Sequence, residues 1–225
     1  MKKLLFLVLP ILTFTACTAQ PGPEKKSDVQ SIDTYKASRS FPAPIAEATF
    51  AGGCFWCTEA AFEQIEGVVD VISGYSGGES TFPTYQQVSY GMTEHAEAIQ
   101  IFYNPDAITY ETLLDIFFTA HDPTQLNRQG PDVGKQYRSA IFYHSKEQKD
   151  QAKAFMKKLT DEGAFSKKIV TQLNAYDTFW VAEGYHQDYY VNNPGNSYVQ
   201  RVSKPKVEKV KKKFAALLKS DMKKS

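Results

Sequence analysis

The chain has 225 residues, 42% hydrophobic and 13% aromatic, enough to bury one well-formed core and too few to house two full domains comfortably. Its 26 basic and 25 acidic residues leave a net charge of +1, so nothing in the overall balance draws it to nucleic acid or to acidic partners.

Lys2 and Lys3 precede an apolar run from Leu4 to Ala16 that is too short to span a bilayer comfortably, and residues 1–17 read as an export signal. Thr15-Ala16-Cys17 resembles the end of a bacterial lipoprotein signal, in which processing leaves the cysteine as a lipid-bearing N-terminus. Phe14 departs from that pattern, which usually has Leu three residues before the cysteine; a plain cleaved signal and a retained anchor are the alternatives. Residues 18–44 mix Gln, Pro, Gly, Lys, Ser and Asp without a sustained apolar period and read as a tether. The expected location is therefore the cell envelope, on a lipid anchor facing the periplasm or the outside.

A catalytic domain is expected over residues 45–198. Ala48 to Ala51 reads as a strand feeding the turn Gly52-Gly53, and Phe55 to Glu66 as a helix closed by Gly67, which puts Cys54 at a helix N-terminus. Val68 to Ile72 reads as a buried strand; Glu97, Ile99, Ile101 and Tyr103 alternate along another, with Glu97 at its entrance. A helix is expected from Tyr110 to Ala120, then a strand from Ala140 to Tyr143. Ser145 and Gln148 have capping-box spacing ahead of a helix whose apolar positions are Ala152, Phe155, Met156 and Leu159. Lys168 to Leu173 suggests a further strand. Thr119 to Arg138 is rich in Pro, Gly and Asp without a convincing period, and loops of that length often carry function. Residues 199–225 read as a basic helix: nine lysines stand between Lys204 and Lys224 against Glu208 and Asp221, and Val207, Val210, Phe214 and Leu217 form an apolar stripe. A solvated face explains the lysines most simply, and attraction to anionic lipid is the sharper reading. The elements add up to an α+β fold, a mixed and mainly antiparallel sheet flanked by helices.

Three cysteines are present, and lipid processing would consume Cys17, leaving Cys54 and Cys57 as a pair. A bridge three residues apart closes too small a loop to staple a domain, so a redox role is favoured. The free N–H groups and positive dipole end of a helix stabilise a thiolate at Cys54, and Cys57 lies one helical turn on, within disulfide reach. Half of a zinc site would need a second pair of soft ligands, which the chain lacks. A thioredoxin-type exchanger shares the C-x-x-C motif, but Phe55 and Trp56 between the cysteines suit an apolar pocket better than an open surface.

The sequence resembles the A-class peptide methionine sulfoxide reductases from about Ala48 to Asn196. The resemblance rests on Gly53-Cys54-Phe55-Trp56, Gly74-Tyr75-Ser76-Gly77-Gly78, Pro83-Thr84-Tyr85, His95-Ala96-Glu97-Ala98, His121-Asp122-Pro123-Thr124-Gln125, Gln136-Tyr137-Arg138-Ser139-Ala140-Ile141 and His186-Gln187. It implies a two-layer sandwich and reduction of methionine S-sulfoxide, free or in proteins, by a monomer with no metal or organic cofactor. By resemblance Cys54 is the nucleophile and Glu97 the acid; Tyr85, Asp132 and Tyr137 hold the sulfoxide oxygen or support the site; Phe55 and Trp56 wall the substrate methyl.

The chemistry agrees. A sulfoxide sulfur resists attack until its oxygen gains a proton or a strong hydrogen bond. Glu97 can serve if burial keeps it protonated, and the phenols of Tyr85 and Tyr137 can add fixed hydrogen bonds. Attack leaves Cys54 as a sulfenic acid, which Cys57 can condense with, and a thioredoxin-like dithiol must then reduce the disulfide. The more familiar family pattern has Gly where Cys57 stands and resolving cysteines in a C-terminal tail. Here no cysteine follows Cys57, so its expected role is to resolve Cys54 within the first helical turn. His95, His121 and His186 are as readily structural as chemical, Asp132 could orient its loop, and Gly74 to Gly78 are expected to shape a turn near the pocket.

Overall fold

The computed structural model describes residues 28–220 and 222; the expected export signal and Cys17 lie outside them. The chain opens with a two-residue strand, β1 (Gln30–Ser31), and a short helix, α1 (Ile32–Ala37), whose first turn is capped by the Ser31 side chain accepting from the Thr34 N–H. Then come β2 (Ala46–Gly52), α2 (Phe55–Glu63), β3 (Val68–Ser76), α3 (Tyr85–Ser89), β4 (Ala96–Tyr103) and α4 (Tyr110–Ala120). A small hairpin, β5 (Arg128–Gln129) and β6 (Asp132–Val133), interrupts the long loop before β7 (Ser139–Tyr143). The chain ends with α5 (Lys146–Asp161), β8 (Gln172–Ala175), β9 (Phe179–Val181), α6 (Tyr189–Asn192), a π-helical turn over Val199–Ser203 and α7 (Lys204–Lys213).

Seven strands form one sheet in the order β1-β9-β3-β4-β2-β7-β8, antiparallel throughout except for the parallel pair β7 and β8. This is the expected α+β architecture. Alternation along β4 divides the core, because successive side chains leave a strand on opposite faces. Ile99, Ile101 and Tyr103 join Phe50, Phe62, Leu113 and Phe117 under α2, α4 and α7; Ala96, Ala98 and Phe102 join Ile72, Phe142 and Phe179 on the other face.

Residues 28–44, expected as part of a tether, instead cover that second face. Ile32 and Tyr35 are buried in it, Phe41 stacks on Phe102 with centroids 4.4 Å apart, and β1 pairs with the outer edge of β9. The polar composition of the segment hides the fact that its few apolar residues fall where the sheet needs a lid. The helix expected over Phe55 to Glu66 stops at Glu63, and the strand expected over Val68 to Ile72 runs on to Ser76. The expected strand at Lys168 begins only at Gln172, where backbone register with Ala140 on β7 sets in.

The C-terminal segment is not a free basic helix. Val207, Val210, Phe214 and Leu218 are buried, whereas Leu217, expected in the stripe, is more than a third exposed because the helix has given way to a 3-10 turn over Ala215–Leu217. Backbone bonds from Glu66 N to Leu217 O (2.7 Å) and from Lys219 N to Gln64 O (2.9 Å) tie the chain end to the end of α2. Tyr198 is therefore no boundary: the residues beyond it buttress the helix that starts at Cys54.

Candidate active site

β2 runs through Gly52 and Gly53 directly into α2, so that Cys54 is the residue capping the helix. Gly53 takes φ +90°, and a Cβ there would lie 2.5 Å from Cβ of Gln129. Gln129 is itself locked: its amide donates to the Asp122 carbonyl (3.0 Å) and accepts from the Asp122 N–H (3.2 Å). The long loop after α4 is thus packed over the cysteine, and it carries Asp132 on β6 and Tyr137 in a 3-10 turn, Lys135–Tyr137.

Both thiols are reduced and enclosed, Cys54 at 5% exposure and Cys57 at 1%. The Cys57 N–H donates to the Cys54 carbonyl (3.2 Å), which sets the two residues one turn apart, and their sulfurs hydrogen-bond each other. Burial pushes the Cys54 thiol up despite its place at the helix N-terminus. Cys57 is drawn below the ordinary thiol range by the hydrogen bond from Cys54, with the charge of Lys206 and a contact to Ser203 Oγ (3.1 Å) acting the same way. At Cys54 burial thus works against the thiolate that the helix N-terminus alone suggested.

Glu97 enters from the start of β4, opposite Tyr75 on β3, and is 2% exposed. Its Oε2 accepts from the Phe55 N–H at the head of α2 (3.1 Å). Burial pushes this carboxyl up to about 8, with the charges of Asp132 and Cys57 adding and the Phe55 bond opposing. Glu97 is an acid at neutral pH, as the chemistry required. Tyr85 opens α3, whose Thr84 and Gln87 form a reciprocal capping box, and Glu183 fixes it by accepting from the Tyr85 N–H and the Tyr75 hydroxyl (2.8 Å each). Burial raises both the Tyr85 and Tyr137 phenols, which stay protonated donors.

The aromatic side is built as a stack. Trp56 lies on Tyr189 with centroids 3.8 Å apart and planes 10° apart, and its indole N–H donates to His186 Nδ1 (3.0 Å). Burial lowers His186 to about 4, so it is a neutral acceptor that orients the indole.

Cys54, Phe55, Trp56, Tyr85, Glu97, Asp132 and Tyr137 line one cavity of about 400 Å³, together with Asn196, Ser197 and Tyr198. Cys57 sits behind Cys54, off the wall. A larger cleft of about 580 Å³ between Gly77, Lys135 and Asn174 contains no cysteine. Tyr198 is the residue the motifs did not single out: its hydroxyl donates to Asp132 Oδ2 (2.5 Å) and sits beside the Cys54 sulfur. His95 and His121 are structural. The first bridges Gly78 N and Ser80 O, the second Phe117 O and Ser139 Oγ, and neither reaches the cavity. Gly74 lies within β3 rather than in a turn, pressed against the Trp180 carbonyl. Among the described residues no three His, Cys, Asp or Glu side chains are grouped as metal ligands.

Residues 46–218 match the model of the peptide methionine sulfoxide reductase family. The chain is 54% identical over 172 residues to a peptide methionine sulfoxide reductase of Rhodopirellula baltica, covering 76% of this chain and 88% of that one. It is 50% identical over 170 residues to one of Natronomonas pharaonis, covering 76% and 96%. Among solved structures, methionine sulfoxide reductase A of Corynebacterium diphtheriae superposes with a TM-score of 0.63 at 32% identity, over 68% of this chain and 77% of that chain.

Proposed function

The chain belongs to the peptide methionine sulfoxide reductase family, and from that premise we propose how its site works: Cys54 takes the sulfoxide oxygen, Glu97 supplies the proton and Cys57 resolves the product. The chain is a peptide-methionine (S)-S-oxide reductase, acting on the S-sulfoxide free or in proteins. The observation that carries the proposal is the carboxyl of Glu97, buried against the head of α2 and kept protonated beside the nucleophile.

The cavity has room for a methionine sulfoxide side chain and is lined to suit one. The substrate methyl meets the rings of Phe55 and Trp56, and the oxygen turns toward Glu97, Tyr85 and Tyr137. Glu97 protonates that oxygen as the Cys54 sulfur attacks, which relieves the charge that attack builds on it. The thiol proton of Cys54 restores Glu97, the oxygen passes to Cys54 as a hydroxyl, and methionine leaves reduced by two electrons. Since the Cys54 thiol itself returns the proton to Glu97, no proton need enter from solvent in this half-reaction. On the other side Asp132 fixes the Tyr198 hydroxyl beside the Cys54 sulfur.

The sulfenic acid then condenses with Cys57, releasing water and forming a Cys54-Cys57 disulfide. A disulfide between consecutive-turn cysteines is reopened by thiolate exchange, and a thioredoxin-like dithiol is the reductant that chemistry calls for. At the N-terminus, the apolar run from Leu4 to Ala16 ahead of Cys17 supports a reading of export and lipid attachment at that cysteine, under which the repair activity belongs to the cell envelope. Mass analysis of the mature N-terminus checks this: a diacylated Cys17 is expected, and an unmodified start at another residue would exclude it.

The test of the activity is an assay of the purified protein with each epimer of methionine sulfoxide and dithiothreitol. Turnover of the S epimer is expected; turnover of the R epimer alone, or of neither, would sink the proposal.

A further inference from the structure

In this chain the C-terminal segment carries no cysteine, yet it returns to the redox pair. The π-helical turn ends at Ser203, which is fully buried, and its Oγ lies 3.1 Å from the Cys57 sulfur. One turn further, on α7, the ammonium of Lys206 is enclosed by protein and has no hydrogen-bond partner among the described residues. An ammonium removed from water without a partner is costly, and such an arrangement persists where negative charge faces it.

The groups that feel this charge are Cys57, Asp132 and His121. Burial keeps His121 neutral, and Asp132 is engaged by the Tyr198 hydroxyl, so Cys57 is the group whose charge changes during the reaction. We propose that Ser203 and Lys206 are the positioning residues of the resolving half-reaction: they hold Cys57 as a thiolate aimed at the Cys54 sulfenic acid. The proposal rests on the reading of Cys57 as the resolving thiol.

The geometry accounts for both protonation states. With Cys57 a thiol, its S–H donates to Ser203 Oγ; with Cys57 a thiolate, the serine hydroxyl rotates to donate back, since a hydroxyl is donor and acceptor at once. Lys206 favours the anion by charge alone. The other titratable groups around Cys57 are Cys54 on its own helix, Glu97 on β4, Asp132 on β6, Tyr190 on α6 and Tyr198 ahead of the π turn. The carboxylates and phenols among these raise Cys57 when charged, which leaves Lys206 as the cation opposing them.

In the step itself the Cys57 thiolate attacks the Cys54 sulfur, an S–S bond forms and the S–OH bond breaks. Hydroxide departs with the proton Cys57 gave up and leaves as water. Cys57 is oxidised and the Cys54 sulfur reduced by the same electron pair.

The experiment tracks one turnover of the full chain mixed with a stoichiometric amount of methionine S-sulfoxide, quenching samples to measure methionine release and thiol loss together. In Lys206→Met, disulfide formation is expected to slow about tenfold relative to methionine release in the same sample. Its pH midpoint should rise by about one unit, the size of shift a near opposite charge gives. Lys206→Arg should restore the midpoint, and Ser203→Ala should slow the step without moving the midpoint as far. An unchanged ratio of the two rates and an unchanged midpoint in Lys206→Met would overturn the proposal. Methionine released by wild type with no loss of the Cys57 thiol would instead overturn the resolving role on which it rests.

Discussion

A carboxyl group held to about 8 burdens the fold as well as serving the chemistry. The unfolded chain gives up the Glu97 proton near about 4.3, the folded chain near 8, so between those values the unfolded state gains stability relative to the folded one as pH rises. Glu97→Gln keeps the bond from Phe55 N–H and removes the titration. It is expected to lower S-sulfoxide reduction by about 100-fold or more. Its melting temperature should exceed that of wild type at about pH 8, with the gap narrowing toward about pH 5. Equal gaps at both would mean that Glu97 does not titrate in this range. Wild-type activity should likewise fall as pH passes about 8 and the acid is lost. Tyr198→Phe removes the donor that holds Asp132 beside Cys54; a fall of about tenfold in kcat/KM is expected, in line with one hydrogen bond to a charged group. Of the seven cavity residues named from sequence, all but Asp132 sit in dense runs of matching neighbours, which made them legible. Tyr198 has no such company. It stands between a polar turn and a lysine-rich helix, and only the return of the chain end across α2 brings its hydroxyl to the cysteine.

α2 and the loop after α4 act as one device, joined where Gly53 meets Gln129. Gly53→Ala would need both a left-handed φ and room that Gln129 occupies, and is expected to destabilise by about 1–3 kcal/mol. Activity should fall by more than the stability loss explains, because a small displacement of the nucleophile loses the alignment with Glu97. Melting curves and kcat on the same preparation separate the two effects. The existence of α2, β4, α4 and α5 was legible from period and capping residues; Ser145 caps α5 as its spacing suggested, although the Gln148 side chain reaches back to the His144 N–H rather than closing the box on Ser145. The long loop was legible as functional from its lack of period. Its hairpin was not, since a two-residue strand carries no alternation to read. β8 was misplaced for a related reason: the apolar residues Ile169 and Val170 precede the stretch that pairs, and pairing with β7 rather than hydrophobicity sets where the strand begins.

At the scale of the molecule, the described segments at either end of the domain, residues 28–44 and 199–220, are structural. The N-terminal arm seals the second face of the sheet, and the C-terminal segment braces α2. Removing residues 1–41 should expose Phe102 and unpair the edge of β9, lowering stability by about 2–4 kcal/mol and the melting temperature by roughly 5–10 °C. An unchanged melting temperature would mean that the arm only rests on the sheet. Composition concealed this role, because polar segments read as tethers unless the tertiary partner of their few apolar residues is known. The central claim, that one helical turn holds both the attacking and the resolving thiol, has a direct test. After one turnover with methionine S-sulfoxide and no reductant, peptide mapping by mass spectrometry should find one methionine released per chain and a Cys54-Cys57 bridge, two hydrogens lighter than the reduced pair. Methionine release with Cys57 left as a free thiol would contradict it.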